Sequence, residues 1–146
     1  MTDNELVSAR TFDAPRELVF EAWTKPEHLA QWWGPNGFTN TFHQFDLRPG
    51  GTWRFVMHGP NGVDYPNESV FVDIVEPERI VLRHLSVPNF QITATFEDAD
   101  GKTGLTFRML FETAELCNRV KTYAVEANEQ NFDRLAAQLT KMQARN

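Results

Sequence analysis

With one cysteine in 146 residues, Cys117, the chain can form no internal disulfide and no cysteine-built zinc cluster. A lone thiol near the start of the last helical pattern reads as a half-buried small hydrophobe. Lysine and arginine number 14 against 20 acidic residues, a formal net charge of −6, and they form no run. Phosphate backbones and anionic lipids are held by clustered positive charge, so no nucleic-acid partner is expected. No stretch approaches the ~20 apolar residues of a membrane-spanning helix, and Met1-Thr2-Asp3-Asn4-Glu5 has neither part of a signal peptide. The expectation is a cytoplasmic protein that does not insert into membranes. A Gly-x-Ser-x-Gly elbow, a phosphate-binding glycine loop and a dinucleotide fingerprint are all missing. No catalytic set and no cofactor are therefore assigned. His28, His43, His58 and His84 lack the close spacing of metal ligands, and no metal site is expected.

What the chain does have is phenylalanine, 12 residues against 4 tryptophans and 2 tyrosines. So many rings with few hydroxyls imply a thick apolar interior, either filled solidly or lining a pocket. The length fits one domain, residues 1–146, large enough for a substantial core.

Leu6 to Phe12 reads as a first strand. Asp13-Ala14-Pro15 starts a short helix with Leu18, Val19, Ala22 and Trp23 on its apolar side, since proline suits a first helical turn. Thr24-Lys25-Pro26-Glu27 fits a capping box and starts a second helix carrying Leu29, Trp32 and Trp33, stopped by Gly34-Pro35. His28 is placed on the exposed side of that helix. Six strand patterns follow, near Phe38–Leu47, Trp53–His58, Ser69–Val75, Ile80–Ser86, Phe90–Phe96 and Leu105–Phe111. Arg48-Pro49-Gly50-Gly51, Glu76-Pro77-Glu78-Arg79 and Asp100-Gly101 punctuate them, and Gly59-Pro60-Asn61-Gly62 opens a longer loop. Links this short join antiparallel neighbours, so the sheet is a meander. A helix from about Leu116 to Met142 ends the chain. At 100° per residue, Ala124, Phe132, Leu135, Ala136, Leu139 and Met142 form one apolar stripe. Glu126, Gln130, Asp133 and Arg134 are expected to point largely away from it. The fold class is α+β, a curved antiparallel sheet with two short helices and one long C-terminal helix.

Alternation along the strands sorts their faces. Trp53, Phe55 and Met57 share one side, Phe107 and Met109 another, each the more apolar face of its strand. These are expected to face the long helix, with Phe132 and Leu135 opposite. Asn128 and Asn131 fall inside the helix's apolar stripe, where buried amides need partners. They suggest an internal polar network or a ligand-receiving cavity. His84 shares a face with Ile80 and Leu82, as a core histidine bonded to a neighbour or as a ligand-orienting group. His43 alternates with Phe45 and Leu47, an ambiguous position because Phe42 lies on the other side. Asp46, Asp73 and Glu68 read as edge and surface charges.

Asp13-Ala14-Pro15, Trp23-Thr24-Lys25-Pro26-Glu27-His28-Leu29, Trp32-Trp33-Gly34-Pro35, Asp46-Leu47-Arg48-Pro49-Gly50-Gly51 and Glu126-Ala127-Asn128-Glu129-Gln130-Asn131 recur together, in order, over nearly the whole chain. This set resembles the bacterial START-like, or SRPBCC, proteins related to the C-terminal domain of the activator of heat-shock-protein-90 ATPase. The resemblance implies a helix-grip fold with a deep apolar cavity between sheet and helix. It carries over no catalytic residue. Binding of a small hydrophobic or aromatic molecule is the leading expectation. The expected contacts are Trp53, Phe55, Met57, His84, Phe107, Met109, Asn128, Asn131, Phe132 and Leu135. A cyclase-, dehydratase- or hydrolase-type enzyme and a co-chaperone-like interaction module are the alternatives. A homodimer and a chaperone partner stay open.

Overall fold

Seven strands form one antiparallel sheet in the order β1-β7-β6-β5-β4-β3-β2 in a computed structural model that describes residues 4–85 and 89–144. The strands are β1 (Glu5–Phe12), β2 (Thr39–Phe45), β3 (Thr52–His58), β4 (Asp64–Val75), β5 (Arg79–His84), β6 (Phe90–Ala99) and β7 (Lys102–Phe111). Helices α1 (Arg16–Thr24) and α2 (Pro26–Trp32) lie between β1 and β2, and α3 (Ala114–Ala144) closes the chain. The expected α+β helix-grip architecture is therefore present. Ser86 and Pro88, expected at a strand end and in a turn, lie outside the described residues.

The meander from β2 to β7 follows the alternation of the sequence, with Phe55 opposite Phe42, Ala94 opposite Phe107 and Ile92 opposite Met109. β1 closes the other side by pairing with β7, so that Ser8 stands opposite Phe107 and Leu6 opposite Met109. Asp100 (φ 55°) and Gly101 (φ 84°) turn the β6–β7 hairpin. Two consecutive positive φ values match the twist of the flanking strands, and Asp-Gly adopts them at low cost.

Two register shifts correct the alternation. In β2 the pairing steps from Phe42–Phe55 to Gln44–Arg54, leaving His43 as an extra residue. The bulge puts Phe42 and Phe45 on the same side, with ring centroids 5.8 Å apart, and turns His43 out to solvent. In β4 the step lies between Phe71 and Asp73, so Phe71 and Ile74 share the inner face and Val72 is exposed. β4 also begins five residues before its expected start. The loop opened by Gly59 is correspondingly shorter, and Asp64 already pairs with His58. Pro66 is accommodated because β5 ends at His84, opposite Ser69. Beyond that point β5 has no described strand residue to require the amide hydrogen that proline lacks.

α1 and α2 are separated by Lys25 alone. The expected capping box does not form. Thr24 is still helical, and its hydroxyl donates back to the Phe20 carbonyl at 2.9 Å, so it is not available to α2. Thr113 takes the capping role at α3, its Oγ1 accepting the Leu116 amide at 3.1 Å. Cys117 is fully buried beneath that first turn, deeper than expected.

The interior has two unlike halves. Around α1 and α2 it is solid. Trp23 meets Trp32 at 5.0 Å and Trp33 at 5.6 Å, while Trp53 stacks on Phe55 at 4.4 Å and meets Trp33 at 5.2 Å. Phe132, Leu135, Leu139 and Met142 of α3 fill the space above them. Toward the start of α3 the inward side chains shrink to Val120, Ala124, Ala127 and Asn128. Proline at Ala127 should break the ladder of α3 and cost about 3 kcal/mol or more. Thr113→Ala should cost about 1 kcal/mol through the lost cap alone. Urea denaturation of both variants tests the helix. Equal, negligible losses would contradict it.

Candidate functional site

Small residues on α3 above a sheet of long side chains leave a pocket of about 510 Å³. β3 contributes Met57, β4 Tyr65 and Asn67, and β5 His84. Phe90, Ile92, Phe107, Met109 and Phe111 form the floor on β6 and β7. α3 supplies Val120, Tyr123, Ala124, Ala127, Asn128 and Asn131, and the segment after α2 adds Trp33, Gly34, Pro35 and Phe38. Exposed Asp64, Tyr65 and Tyr123 mark the mouth.

Of the ten residues expected to contact a ligand, Met57, His84, Phe107, Met109, Asn128 and Asn131 line this pocket. Trp53, Phe55, Phe132 and Leu135 do not. They belong to the solid half of the core, where each is at most 2% exposed. The physical reason is the roof. Trp33 and the two short helices occupy the space above Trp53 and Phe55, an arrangement that alternation within one strand does not reveal. Sequence reasoning also missed Tyr65 and Asn67, because Pro66 and the glycines before it read as loop. The alternation Tyr65, Asn67, Ser69, Phe71 was the available signal.

His84 is tied to its surroundings. Its Nε2 lies 2.7 Å from Asn67 Oδ1, and its ring stacks on Phe90 at 4.6 Å and 16°. Asn67 Nδ2 donates to the Tyr65 carbonyl at 2.8 Å, which turns its oxygen toward His84 and makes Nε2 the donor. The other histidines stand apart. His58 Nδ1 is 2.8 Å from Asp64 and its Nε2 is 2.7 Å from Thr41, on the outer face. His28, expected to be exposed, is mostly covered and bonded at 3.0 Å to Gln138 of α3, because α2 packs against that helix. Among the described residues no cluster of metal-ligating side chains forms. Asp46 and Asp73 are surface charges, as expected, and are ion-paired with Arg48 and Arg79.

The roof over the pocket is held by α3 residues expected to point away from it. Arg134 donates to five backbone carbonyls, those of Gln31, Trp33, Gly34, Pro35 and Phe38. The planar guanidinium can reach so many because its N–H groups spread in a fixed fork. Burial lowers its pKa from the usual value, and it remains a cation set against the carboxyl end of α2, where helix dipoles favour positive charge. Asn131 Oδ1 accepts the Gly34 amide at 3.0 Å, and Gln130 Oε1 the Asn36 amide at 3.0 Å. Gly34 itself has φ of 100°, and a Cβ there would come within 2.7 Å of Met57 Cε. A side chain would therefore be both strained and crowded.

At the opposite side of α3, Arg10 of β1 reaches Glu129 at 2.7 Å and Asp133 at 2.8 Å, with its guanidinium 5.4 Å from the centre of the Phe132 ring. Burial opposes its charge, but the hydrogen bonds and attraction of the two carboxylates outweigh it and raise its pKa. Asn128 lies between these two anchors and is 8% exposed. Its Nδ2 faces Ser8 Oγ at 3.3 Å and Met109 Sδ at 3.6 Å.

A helix gripped by a curved sheet is a recurrent arrangement. The family model described as Activator of Hsp90 ATPase homolog 1-like protein matches residues 13–140. The chain belongs to that family. The likeness extends to solved structures. A Nitrosomonas europaea protein is 22% identical, with a TM-score of 0.91 and 99% of both chains covered. A Rhodobacter sphaeroides protein is 24% identical, with a TM-score of 0.87 and coverage of 96% of this chain and 95% of that one. The AHSA1 protein of Silicibacter pomeroyi is 20% identical, with a TM-score of 0.76 and coverage of 94% and 99%. At these identities the likeness is one of fold. No curated protein sequence gives a significant match. Membership of the activator-like family places the chain in the START-like superfamily, whose fold is generally a ligand-binding one. Among the described residues no helix is long and apolar enough to cross a membrane.

Arg134→Met should remove the donor of the Gln31, Gly34 and Phe38 carbonyls, while Trp33 keeps Asn40 Nδ2 and Pro35 keeps the Phe38 amide, and should destabilise the chain by about 2–3 kcal/mol. Arg134→Lys should recover only part of that, because an ammonium cannot span the same fan of oxygens. Urea melts of the two variants beside the parent measure both effects.

Proposed function

We propose that this activator-like protein binds a small, largely apolar molecule in the pocket beneath the first half of α3. The supporting observation is the pocket itself: about 510 Å³ with walls mainly of aromatic, aliphatic and methionine side chains. Sites for small ligands typically have such a volume and a few polar groups that fix orientation. In this reading Met57, Phe107 and Met109 supply apolar contact, and His84, Asn128 and Asn131 orient the ligand. Trp53, Phe55, Phe132 and Leu135 act behind the wall, keeping it in place. The family description concerns a chaperone activator, and contact with a chaperone is a different use of the same fold. No feature of the pocket favours that use.

The uncharged fluorophore N-phenyl-1-naphthylamine should bind saturably with enhanced emission, and Trp33 on the wall should be quenched. Ala127→Phe places a ring in the pocket and should weaken that binding by at least about tenfold, or 1.4 kcal/mol. Its urea stability should stay within about 1 kcal/mol of the parent, since the ring enters existing space. Unchanged affinity in Ala127→Phe would place the probe elsewhere and remove the support for this reading. Recovery of a chemically altered compound after incubation would instead mark an enzyme.

A further inference from the structure

The two asparagines of α3 are oriented by what they already hold. The Gly34 amide can only donate, so the atom of Asn131 facing it is the carbonyl oxygen. The thioether of Met109 can only accept, so the atom of Asn128 facing it is the amide nitrogen. Each assignment fixes the other half of the side chain. Asn128 Oδ1 and Asn131 Nδ2 make no hydrogen bond to any described residue, although both residues line the pocket and Asn128 is 8% exposed. Three positions apart on one helix, they are neighbours on its surface. The pocket therefore presents one acceptor and one donor side by side, both uncharged, in an apolar wall.

The rest of the lining decides the charge of what fits them. Among the described residues no lysine or arginine lines the pocket, and the imidazole of His84 is bonded to Asn67. Arg134, one turn along α3 from Asn131, is directed at backbone carbonyls of the roof. Asp64 is the one carboxylate of the lining among the described residues; it sits at the exposed mouth, paired with His58. A charged head against the asparagines would be desolvated with no counter-ion, a heavy penalty for either sign.

We infer that the pocket selects an uncharged amphiphile whose polar head donates to Asn128 Oδ1 and accepts from Asn131 Nδ2, as a carboxamide does, and rejects the matching carboxylate. This rests on the pocket being a ligand site. The head is read at α3, and the apolar body lies over Phe107, Met109 and Ile92.

Three ligands of nearly equal shape test it: 2-naphthamide, methyl 2-naphthoate and 2-naphthoate at pH 8, each displacing N-phenyl-1-naphthylamine. The expected result is an amide preference on the order of tenfold over the ester, the effect of one buried hydrogen bond lost or left unmade, and a larger one over the anion. In Asn128→Leu the amide should fall to the level of the ester. Equal affinity for all three, or tightest binding of the anion, would overturn the inference and leave the pocket reading standing. An amide preference that persists undiminished in Asn128→Leu would overturn the role given to that oxygen. Failure of all three ligands while the fluorophore still binds would also overturn it. Failure of the fluorophore as well would end the pocket reading and this inference together. Because the ligand comparison is made on the parent chain, it stands even if Asn128→Leu folds poorly.

Discussion

One guanidinium holds the two ends of the molecule's helical layer together. Arg134 projects from the middle of α3 into the last turn of α2 and the segment after it, and five carbonyl oxygens converge on it. The Gln31 carbonyl lies in the last turn of α2, where no further turn supplies amide donors, and the other four lie in the segment after it. Without the arginine, several would be covered by protein and left without partners. With it, the segment from Trp33 to Phe38 is fixed as a roof, and Asn131 and Gln130 complete the attachment through the Gly34 and Asn36 amides. The pocket's shape thus depends on a contact outside it.

Beneath that roof, volume matching decides where the interior is solid and where it is open. The sheet presents mostly large side chains on its concave face. α3 answers them with Phe132, Leu135, Leu139 and Met142 in its second half, and with Val120, Ala124, Ala127 and Asn128 in its first. α1 and α2 lie over the solid half, where Trp23 meets Phe96 and Trp33, just after α2, meets Trp53. Protein interiors are close-packed wherever side chains can meet. An unfilled region of this size therefore reflects the choice of small residues on the helix, and it is framed by the same aromatic floor that continues under the filled half.

Much of the architecture was legible because alternation and helical periodicity are local signals. The six strands from β2 to β7, the two short helices and the long one all left such patterns, as did the apolar stripe that places Asn128 inward. The missing parts depend on non-local geometry. The bulge at His43 reverses the phase of its strand, and a one-residue insertion leaves no mark in composition. Pro66 disguised the start of β4, since whether proline is tolerated there depends on where β5 stops. Arg134 lies beside the apolar stripe and reads as a solvated charge. Its partners are backbone atoms nearly a hundred residues earlier, which no side-chain pattern announces. The same limit separated Met57 from Phe55 and Trp53. All three lie on one face of one strand, but only Met57 reaches past the roof.

The two arginines that fasten α3 differ in what they grasp, and ionic strength should tell them apart. Arg10 holds two carboxylates at the surface, Glu129 and Asp133, whose side chains are 50% and 65% exposed. Dissolved ions compete with such attractions beyond about 8 Å at physiological salt and more closely in concentrated salt. Arg134 holds neutral dipoles, with no acidic partner for counter-ions to replace. Added salt would loosen the β1 side of the helix while sparing the roof. The two flanks of the pocket would then differ in mobility while the fold stayed the same.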